Sequence, residues 1–136
     1  MRTPRTAKAV LLVSGLVAIG IGGAILLAPV AFHEVNGIHL DGSSLLSETR
    51  APGGALLATG VLITLGAFVP RLTFTAAIAG ALTYLSYGLS RVLSVAVDGV
   101  PASGLVLSAA VEMVIGLACA LVLVRHIRQD RGAGPS

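Results

Sequence analysis

The chain has 136 residues, of which 55% are hydrophobic and only 11% are charged, and its formal net charge at pH 7 is +3. Soluble domains carry about 25% charged residues, so this composition and the mean hydropathy of +0.95 exclude an ordinary soluble domain and predict one integral membrane domain. The basic residues lie at chain ends and helix junctions, without the aromatic-interleaved patch of a nucleic-acid-binding surface, so no nucleic-acid partner is predicted.

The first predicted element is a helix near residues 9–31, because Ala9 to Phe32 contains no charged residue. At a rise of about 1.5 Å per residue, this run can cross a hydrocarbon core ~30 Å thick. It is also longer than the roughly 7–15 apolar residues of a secretory signal, so we expect a retained helix. Pro29 is predicted to close it, and the polar segment 33–47 is predicted to be a loop with an interfacial turn.

The second predicted helix covers residues 48–69, with Ser47 or Thr49 as its N-cap and Pro52 in its first turn, where backbone amides lack intrahelical partners. The third covers residues 72–97 and follows a tight junction at Arg71. The turn sequence Asp98-Gly99-Val100-Pro101 then separates it from a fourth helix over residues 102–125. The polar tail from residue 126 is expected to be loose. The predicted fold is therefore an all-α, integral membrane four-helix bundle.

Lys and Arg accumulate on the cytoplasmic side of membrane proteins. On one side of the predicted spans lie Arg2, Arg5, Lys8, Arg71, Arg125, Arg128 and Arg131. The connections after the first and third helices instead carry Glu34, Asp41 and Asp98, without Lys or Arg. The sequence thus predicts a multi-pass protein of the cell (inner) membrane with both termini in the cytoplasm.

Arg91 in the third helix and Glu112 in the fourth are charged residues inside apparent spans, and Glu48 and Arg50 begin the second. Counting residues places Arg91 ~9 Å and Glu112 ~15 Å below the outer helix ends. A lone charge in hydrocarbon costs at least ~2.5–3.5 kcal/mol. We therefore predict that Arg91 lies within salt-bridge reach of Glu112 or Glu48, and that Arg50 sits at the outer rim and competes for these carboxylates.

Polar residues recur at helical spacing on two of the predicted helices, which indicates one polar face on each. On the third helix they are Tyr84, Tyr87, Arg91, Ser94 and Asp98. On the fourth, Ser108, Glu112, Gly116 and Cys119 share a face. We expect Tyr84, Tyr87, Arg91 and Ser94 to face other helices, and the two faces together to form a polar pocket that opens outward.

Two readings of the buried charges remain open at this stage. Arg91 and Glu112 can simply pair and fix the helix register, or they can form a ligand or proton site. The loop residues His33, Glu34, His39 and Asp41 match no helical metal-ligand spacing, so no metal site is predicted. Neither a cofactor motif nor a catalytic motif of the HExxH or GxSxG type is present.

Several short motifs resemble those of a known family. They are Glu48-Thr49-Arg50-Ala51-Pro52-Gly53-Gly54, Gly88-Leu89-Ser90-Arg91 with Ser94, Asp98-Gly99-Val100-Pro101, and Glu112 in the last helix. Together they resemble the bacterial membrane proteins catalogued as domain of unknown function 4345, which have four predicted helices, and the resemblance covers nearly the whole chain. The chain departs from that pattern at Ser47 and Pro52. Its architecture is also similar to DoxX-like four-helix proteins, some linked to redox or quinone-related systems, but a fold does not fix a function.

The sequence therefore favours a non-enzymatic membrane protein, either an accessory subunit or a binder of a small lipophilic ligand. Its polar centre would comprise Glu48, Arg50, Arg91 and Glu112, and its partners would be membrane lipid, such a ligand or another membrane protein. The alternative is a membrane enzyme or proton-coupled transporter in which Glu112 exchanges a proton beside Arg91. A cavity that reaches Glu112 from the outer surface would favour a ligand or proton site, and a dry, fully paired cluster would favour a structural role.

Overall fold

The structure is a computed structural model that describes residues 3–132, and this range is helical without any strand. Its elements are α1 (Arg5–Leu27), α2 (Pro29–Glu34), α3 (Ser43–Phe68), a 3₁₀ turn (Pro70–Leu72), α4 (Thr73–Asp98) and α5 (Ser103–Gly132). Four helices are each long and apolar enough to cross a membrane: α1, α3, α4 together with the 3₁₀ turn that precedes it, and α5. The prediction of an all-α chain with four such helices is therefore confirmed.

The predicted helix over residues 9–31 is wrong at its end, because it is divided into α1 and α2. The backbone breaks at Ala28, which has φ −135° and ψ 58°. Pro29 does not close a helix but occupies the first position of α2, where its missing amide hydrogen costs nothing. Gly37, with φ +71°, then turns the chain away from α2. The segment predicted as a loop thus begins with a short helix.

Helix α3 begins at Ser43, five residues before the predicted start, so neither Ser47 nor Thr49 is its N-cap. The Thr49 hydroxyl instead donates to a carbonyl one turn earlier in the same helix. Pro52 lies inside α3 and not in its first turn. Because proline has no amide hydrogen, Pro52 cannot donate to the carbonyl of Glu48, four residues earlier.

The polar tail also differs from the prediction. Helix α5 continues past the predicted end at Arg125 to Gly132, and His126 Nε2 lies 3.7 Å from a carboxylate oxygen of Asp130 one turn later. Pairs at this spacing lie on the same face of a helix. The tail is therefore helical as far as the structure describes it.

Helices α1 and α3 form a close antiparallel pair through glycines spaced seven residues apart. A Cβ atom added at Gly22 of α1 would lie 2.5 Å from the backbone nitrogen of Leu57, and one added at Gly60 of α3 would lie 2.7 Å from that of Ile19. Gly15 and Gly53 meet the facing helix equally closely. Small residues allow long apolar helices to approach backbone to backbone, so these glycines set the distance between α1 and α3.

A second antiparallel pair, α4 with α5, is built in a similar way. A Cβ atom at Gly116 of α5 would lie 2.9 Å from the backbone nitrogen of Leu85. Gly88 of α4 lies against Met113, and a Cβ atom there would come within 2.7 Å of the Met113 sulfur. The bundle thus consists of two glycine-packed helix pairs.

The two pairs meet in a buried core toward the chain termini. The Tyr84 hydroxyl donates to the carbonyl of Ser14, and Ser14 Oγ lies 3.3 Å from Cys119 Sγ. Leu11, Ile63 and the three residues Ser14, Thr73 and Cys119 are almost fully buried. These contacts hold α1 against α4 and α5.

The chain termini lie at the same end of the bundle. The hydroxyls of Thr3, before α1, and Thr73, at the start of α4, are 3.0 Å apart. Pro4, Thr73 and Arg125 also line one small cavity of about 220 Å³. We call this end the termini end, and we call the opposite end, with α2 and the α4–α5 turn, the loop end.

The glycine contacts predict a clear difference between two substitutions. Gly60→Ala places a methyl group within 3 Å of the α1 backbone, and we expect it to lower stability by about 1–3 kcal/mol through overpacking. Gly20→Ala is the matched control, because nothing lies within 4 Å of its added Cβ, and it should match or slightly exceed the wild-type protein. Thermal melting in detergent measures both. Equal melting temperatures would contradict close packing of α1 on α3.

Candidate functional site

A cavity of about 650 Å³ lies between the two helix pairs at the loop end. Its volume falls within the range of about 300–1,000 Å³ typical of small-molecule sites. Most of its wall consists of aliphatic side chains, among them Val17, Ile21, Ile25, Ile38, Leu45, Leu56, Leu105, Leu107 and Val111. We call this space the interhelical cavity, and its composition suits an apolar molecule.

The packing explains why this cavity lies at the loop end. Glycines draw the helices together within each pair, whereas the contacts of Tyr84 with Ser14 and of Ser14 with Cys119 join the pairs deeper in the bundle. These contacts form the floor of the interhelical cavity. At the loop end, the side chain of Asn36, just after α2, lies close against Gly104 at the start of α5. Asn36 therefore helps to cover the cavity.

The predicted ion pair between α4 and α5 is present in the cavity wall. Arg91 Nε donates to both carboxylate oxygens of Glu112, at 2.9 and 3.2 Å. The Arg91 side chain is 32% exposed and the Glu112 side chain is 12% exposed. The contact uses only Nε, and within residues 3–132 the terminal guanidinium nitrogens make no further hydrogen bond to the protein. The pair neutralises both charges in a largely apolar wall.

Glu48 lines the same cavity from α3 and is exposed. It forms no salt bridge with any residue of the described range. The interhelical cavity therefore extends from an exposed carboxylate, Glu48, to the half-buried pair of Arg91 and Glu112. Glu48 is the wall's uncompensated charge.

The prediction that Arg50 competes for these carboxylates is wrong. Arg50 is exposed, does not line the cavity, and donates from Nε to the carbonyl of Leu26 at 3.2 Å. Residues two apart on a helix point in nearly opposite directions, so Arg50 cannot share the direction of Glu48. It reaches instead the end of α1, where carbonyl groups lack intrahelical donors.

Only part of the predicted polar face of α4 is turned toward other helices. Tyr84, Tyr87 and Arg91 line the cavity, as expected for a face turned toward other helices. Ser94 and Asp98 do not line it: both are exposed, and the Ser94 hydroxyl donates to Asp98 Oδ2 at 3.0 Å. The prediction for Ser94 is therefore wrong. Nearly every residue in the last two turns of α4 is exposed, so these turns lie beyond the packed part of the bundle.

Two of the cavity residues that were not predicted come from the segment after α1. His33 and Asn36 line the cavity, although the sequence pattern assigns both to a solvated loop. His33 belongs to α2, where Nδ1 donates to the carbonyl of Pro29 at 2.8 Å, and its ring packs edge-on against Phe32. Pro29 at the start of a short apolar segment was the available signal. Among residues 3–132, no group of three or more His, Cys, Asp or Glu side chains could hold a metal ion.

The ion pair predicts a pattern of stability changes. Arg91→Ala leaves Glu112 without its partner, and we expect a loss of about 1–3 kcal/mol, between the values for exposed and buried pairs. The double variant Arg91→Ala/Glu112→Gln should recover part of this loss, because no carboxylate is then left unpaired. Arg50→Ala, which removes an exposed arginine, is the control. Thermal melting in detergent decides the matter, and an unchanged melting temperature for Arg91→Ala would mean that the pair does not stabilise the bundle.

Comparison with known proteins places the chain in a family. No curated protein and no solved structure matches it. One family does match, over residues 6–123. This range includes all residues that line the interhelical cavity, and it includes the four long helices except for Arg5 and the end of α5. This match confirms the resemblance predicted from the motifs. The chain belongs to the family described as Domain of unknown function (DUF4345).

Proposed function

We propose that this protein is a multi-pass membrane protein that binds a small lipophilic ligand in the interhelical cavity. The observation that carries the proposal is the cavity itself, which joins the exposed Glu48 to the Arg91–Glu112 pair. A dry, fully paired cluster would have favoured a purely structural role for these charges. The cavity favours a ligand-binding protein over an accessory subunit that would contact its partner only through the outer surface of its helices.

The walls support a ligand with an apolar body. Aliphatic side chains from α1, α3 and α5 form much of the surface, and the Lys, Arg, Asp and Glu side chains among the lining residues are only Glu48, Arg91 and Glu112. Small-molecule sites typically combine an apolar wall with a few polar groups that fix orientation. The cavity has this composition.

The exposure of the lining residues supports access from outside. Glu48 and Pro52 of α3 and Tyr87 of α4 line the cavity and are exposed. The outer faces of the long helices carry exposed apolar side chains such as Leu82 and Leu117, which suits contact with lipid. A ligand dissolved in the membrane would reach the cavity at the level of these residues.

The floor of the cavity supports binding over transport. Tyr84, Ser14 and Cys119 are buried and in contact between the cavity and the termini end. A proton-coupled transporter would need a water path through this region. The closed floor therefore favours a ligand that enters and leaves by the same opening.

We also propose that the termini end faces the cytoplasm. That end holds Arg5 and Lys8 of α1, Arg71 of the 3₁₀ turn, and the arginines in the last turns of α5; the predicted contribution of Arg2 lies outside the described residues. The loop end carries Glu34, Asp41 and Asp98. Basic residues favour the cytoplasmic side, so the interhelical cavity would lie in the outer half of the membrane.

The orientation is tested by thiol labelling in a Cys119→Ser background. We expect a cysteine at Ser43, at the loop end, to react with a membrane-impermeant maleimide added to intact cells. A cysteine at Gln129, at the termini end, should react only after permeabilisation. The reverse pattern would show that the proposed orientation is wrong.

Ligand binding is tested by filling the cavity. Ser108 of α5 lines it, and its hydroxyl donates to a carbonyl four residues earlier. Ser86 of α4 makes the same kind of hydrogen bond but lies outside the cavity lining. We expect saturable binding of the neutral lipophilic dye Nile red to fall at least about tenfold in Ser108→Trp, because the indole occupies the space, and to persist in Ser86→Trp.

The binding is measured as dye fluorescence against protein in lipid nanodiscs, with empty nanodiscs subtracted. Equal saturable binding by Ser108→Trp and Ser86→Trp would contradict a ligand site in the cavity. The absence of saturable binding to the wild-type protein would do the same.

A further inference from the structure

We propose that the ligand of the interhelical cavity is a lipophilic organic cation, held by the Glu48 carboxylate and by aromatic rings of the cavity wall. This inference rests on the proposed ligand-binding function and deepens it by naming the chemical class. Three features of the wall carry it: its net charge, its aromatic content and one backbone carbonyl.

The first feature is the charge of the wall. Its Lys, Arg, Asp and Glu side chains are Glu48, Arg91 and Glu112. Arg91 and Glu112 neutralise each other at 2.9 Å, so two carboxylates and one guanidinium leave one net negative charge, on Glu48. Glu48 is exposed at the edge of the cavity, and charges act on one another more strongly beside an apolar wall than in bulk water. A positively charged head is therefore attracted to this wall, and an anion is repelled.

His33, from α2, also lines the cavity and adds no charge to this balance in its neutral form. Its Nδ1 must donate, because the Pro29 carbonyl can only accept. In the neutral ring, Nε2 then carries a lone pair and is a further acceptor. Neutral His33 thus adds acceptor character to the wall and no positive charge.

The second feature is a concentration of aromatic side chains. The chain contains three Phe, two Tyr and no Trp, and Phe32, Tyr84 and Tyr87 line the cavity. The cavity lining comprises 22 of the 136 residues, so an even distribution of five aromatic residues would place fewer than one of them there. The faces of aromatic rings attract cations, most strongly where water is excluded.

The third feature is the backbone beside Glu48. Pro52 lines the cavity one turn after Glu48 and has no amide hydrogen to donate to the Glu48 carbonyl. The partial negative charge of this carbonyl is thus less compensated than in a regular helix. This carbonyl belongs to the same residue as the unpaired carboxylate.

An anionic ligand is the competing possibility, because the terminal nitrogens of Arg91 have no further partner in the described range. An anion beside Arg91 would also lie beside Glu112, which already holds that guanidinium, and in the same wall as Glu48. The electrostatic balance therefore favours the cation.

Two probes of the same shape and opposite charge test the inference: tetraphenylphosphonium and tetraphenylborate. Equilibrium dialysis against protein in nanodiscs of zwitterionic lipid, with empty nanodiscs subtracted, gives the saturable binding of each. We expect tetraphenylphosphonium to bind and tetraphenylborate not to bind. Ser108→Trp should remove the binding, which places it in the cavity.

Three variants distinguish the contributions. Glu48→Gln should weaken tetraphenylphosphonium binding about tenfold or more by removing the unpaired charge. Glu34→Gln removes an exposed carboxylate outside the cavity lining and should leave binding unchanged. Tyr87→Leu should weaken binding about two- to fivefold through loss of the ring face. The melting temperature of each variant confirms that it is folded.

The outcomes separate the two proposals. Binding of both ions with equal affinity, removed by Ser108→Trp but unaffected by Glu48→Gln, would overturn the cation inference and retain the ligand site. Preferential binding of tetraphenylborate would overturn it in favour of an anion at Arg91. If neither ion binds while Nile red does, the cation inference alone fails. If Nile red also shows no saturable binding, the proposed function fails with it.

Discussion

Close contact at glycine is the constraint on which the rest of this structure depends. Gly22 and Gly60 bring α1 and α3 together backbone to backbone, and Gly88 and Gly116 do the same for α4 and α5. Long apolar helices gain little from burying apolar surface when their surroundings are equally apolar, so they associate through such close packing. The glycines allow close packing only within each pair of helices, so larger side chains occupy the space between the two pairs. The interhelical cavity is the part of this space that those side chains do not fill.

Neutral polar contacts lie toward the termini end of the bundle, whereas the contact between ionised groups lies nearer the loop end. Toward the termini end, neutral groups join the two pairs: the Tyr84 hydroxyl donates to the Ser14 carbonyl, and the Ser14 hydroxyl lies against Cys119. The ionised groups Arg91 and Glu112 lie nearer the loop end and join two helices of the same pair. The ion pair therefore joins α4 to α5 without closing the cavity, so a structural contact and the proposed ligand site can share the same residues.

The sequence predicts those features that depend on neighbouring residues. Uninterrupted apolar runs are sufficient to place the long helices, and the cost of an isolated charge in an apolar environment is sufficient to predict that Arg91 pairs with Glu112 or Glu48; the structure shows the pair with Glu112. Pro29 was misinterpreted because a proline is compatible with both the end of one helix and the start of the next. Helix α3 starts earlier than predicted because the polar segment 33–47 is not a loop throughout: the chain turns at Gly42, where φ is +86°, and the helix begins at Ser43.

The cavity could not be predicted in the same way, because its boundaries are contacts between distant parts of the chain. Ser14 meets Cys119 across 105 residues, and Asn36 lies against Gly104. Periodicity correctly grouped Tyr84, Tyr87 and Arg91 on one face, but it also grouped Ser94 with them. The helical spacing of residues shows in which direction a side chain points. It does not show whether a neighbouring helix extends to the level of that side chain.

The register of α4 against α5 connects the packing to the chemistry of the cavity. Gly88 lies against Met113, which follows Glu112 in α5, and Arg91 follows Gly88 by about one turn in α4. The glycine contact therefore brings the guanidinium to the carboxylate. A larger residue at position 88 would separate the helices at this level and weaken the neutralisation of Glu112. The charge of the cavity wall, and with it the class of ligand that the wall favours, therefore depends on a residue that carries no polar side chain.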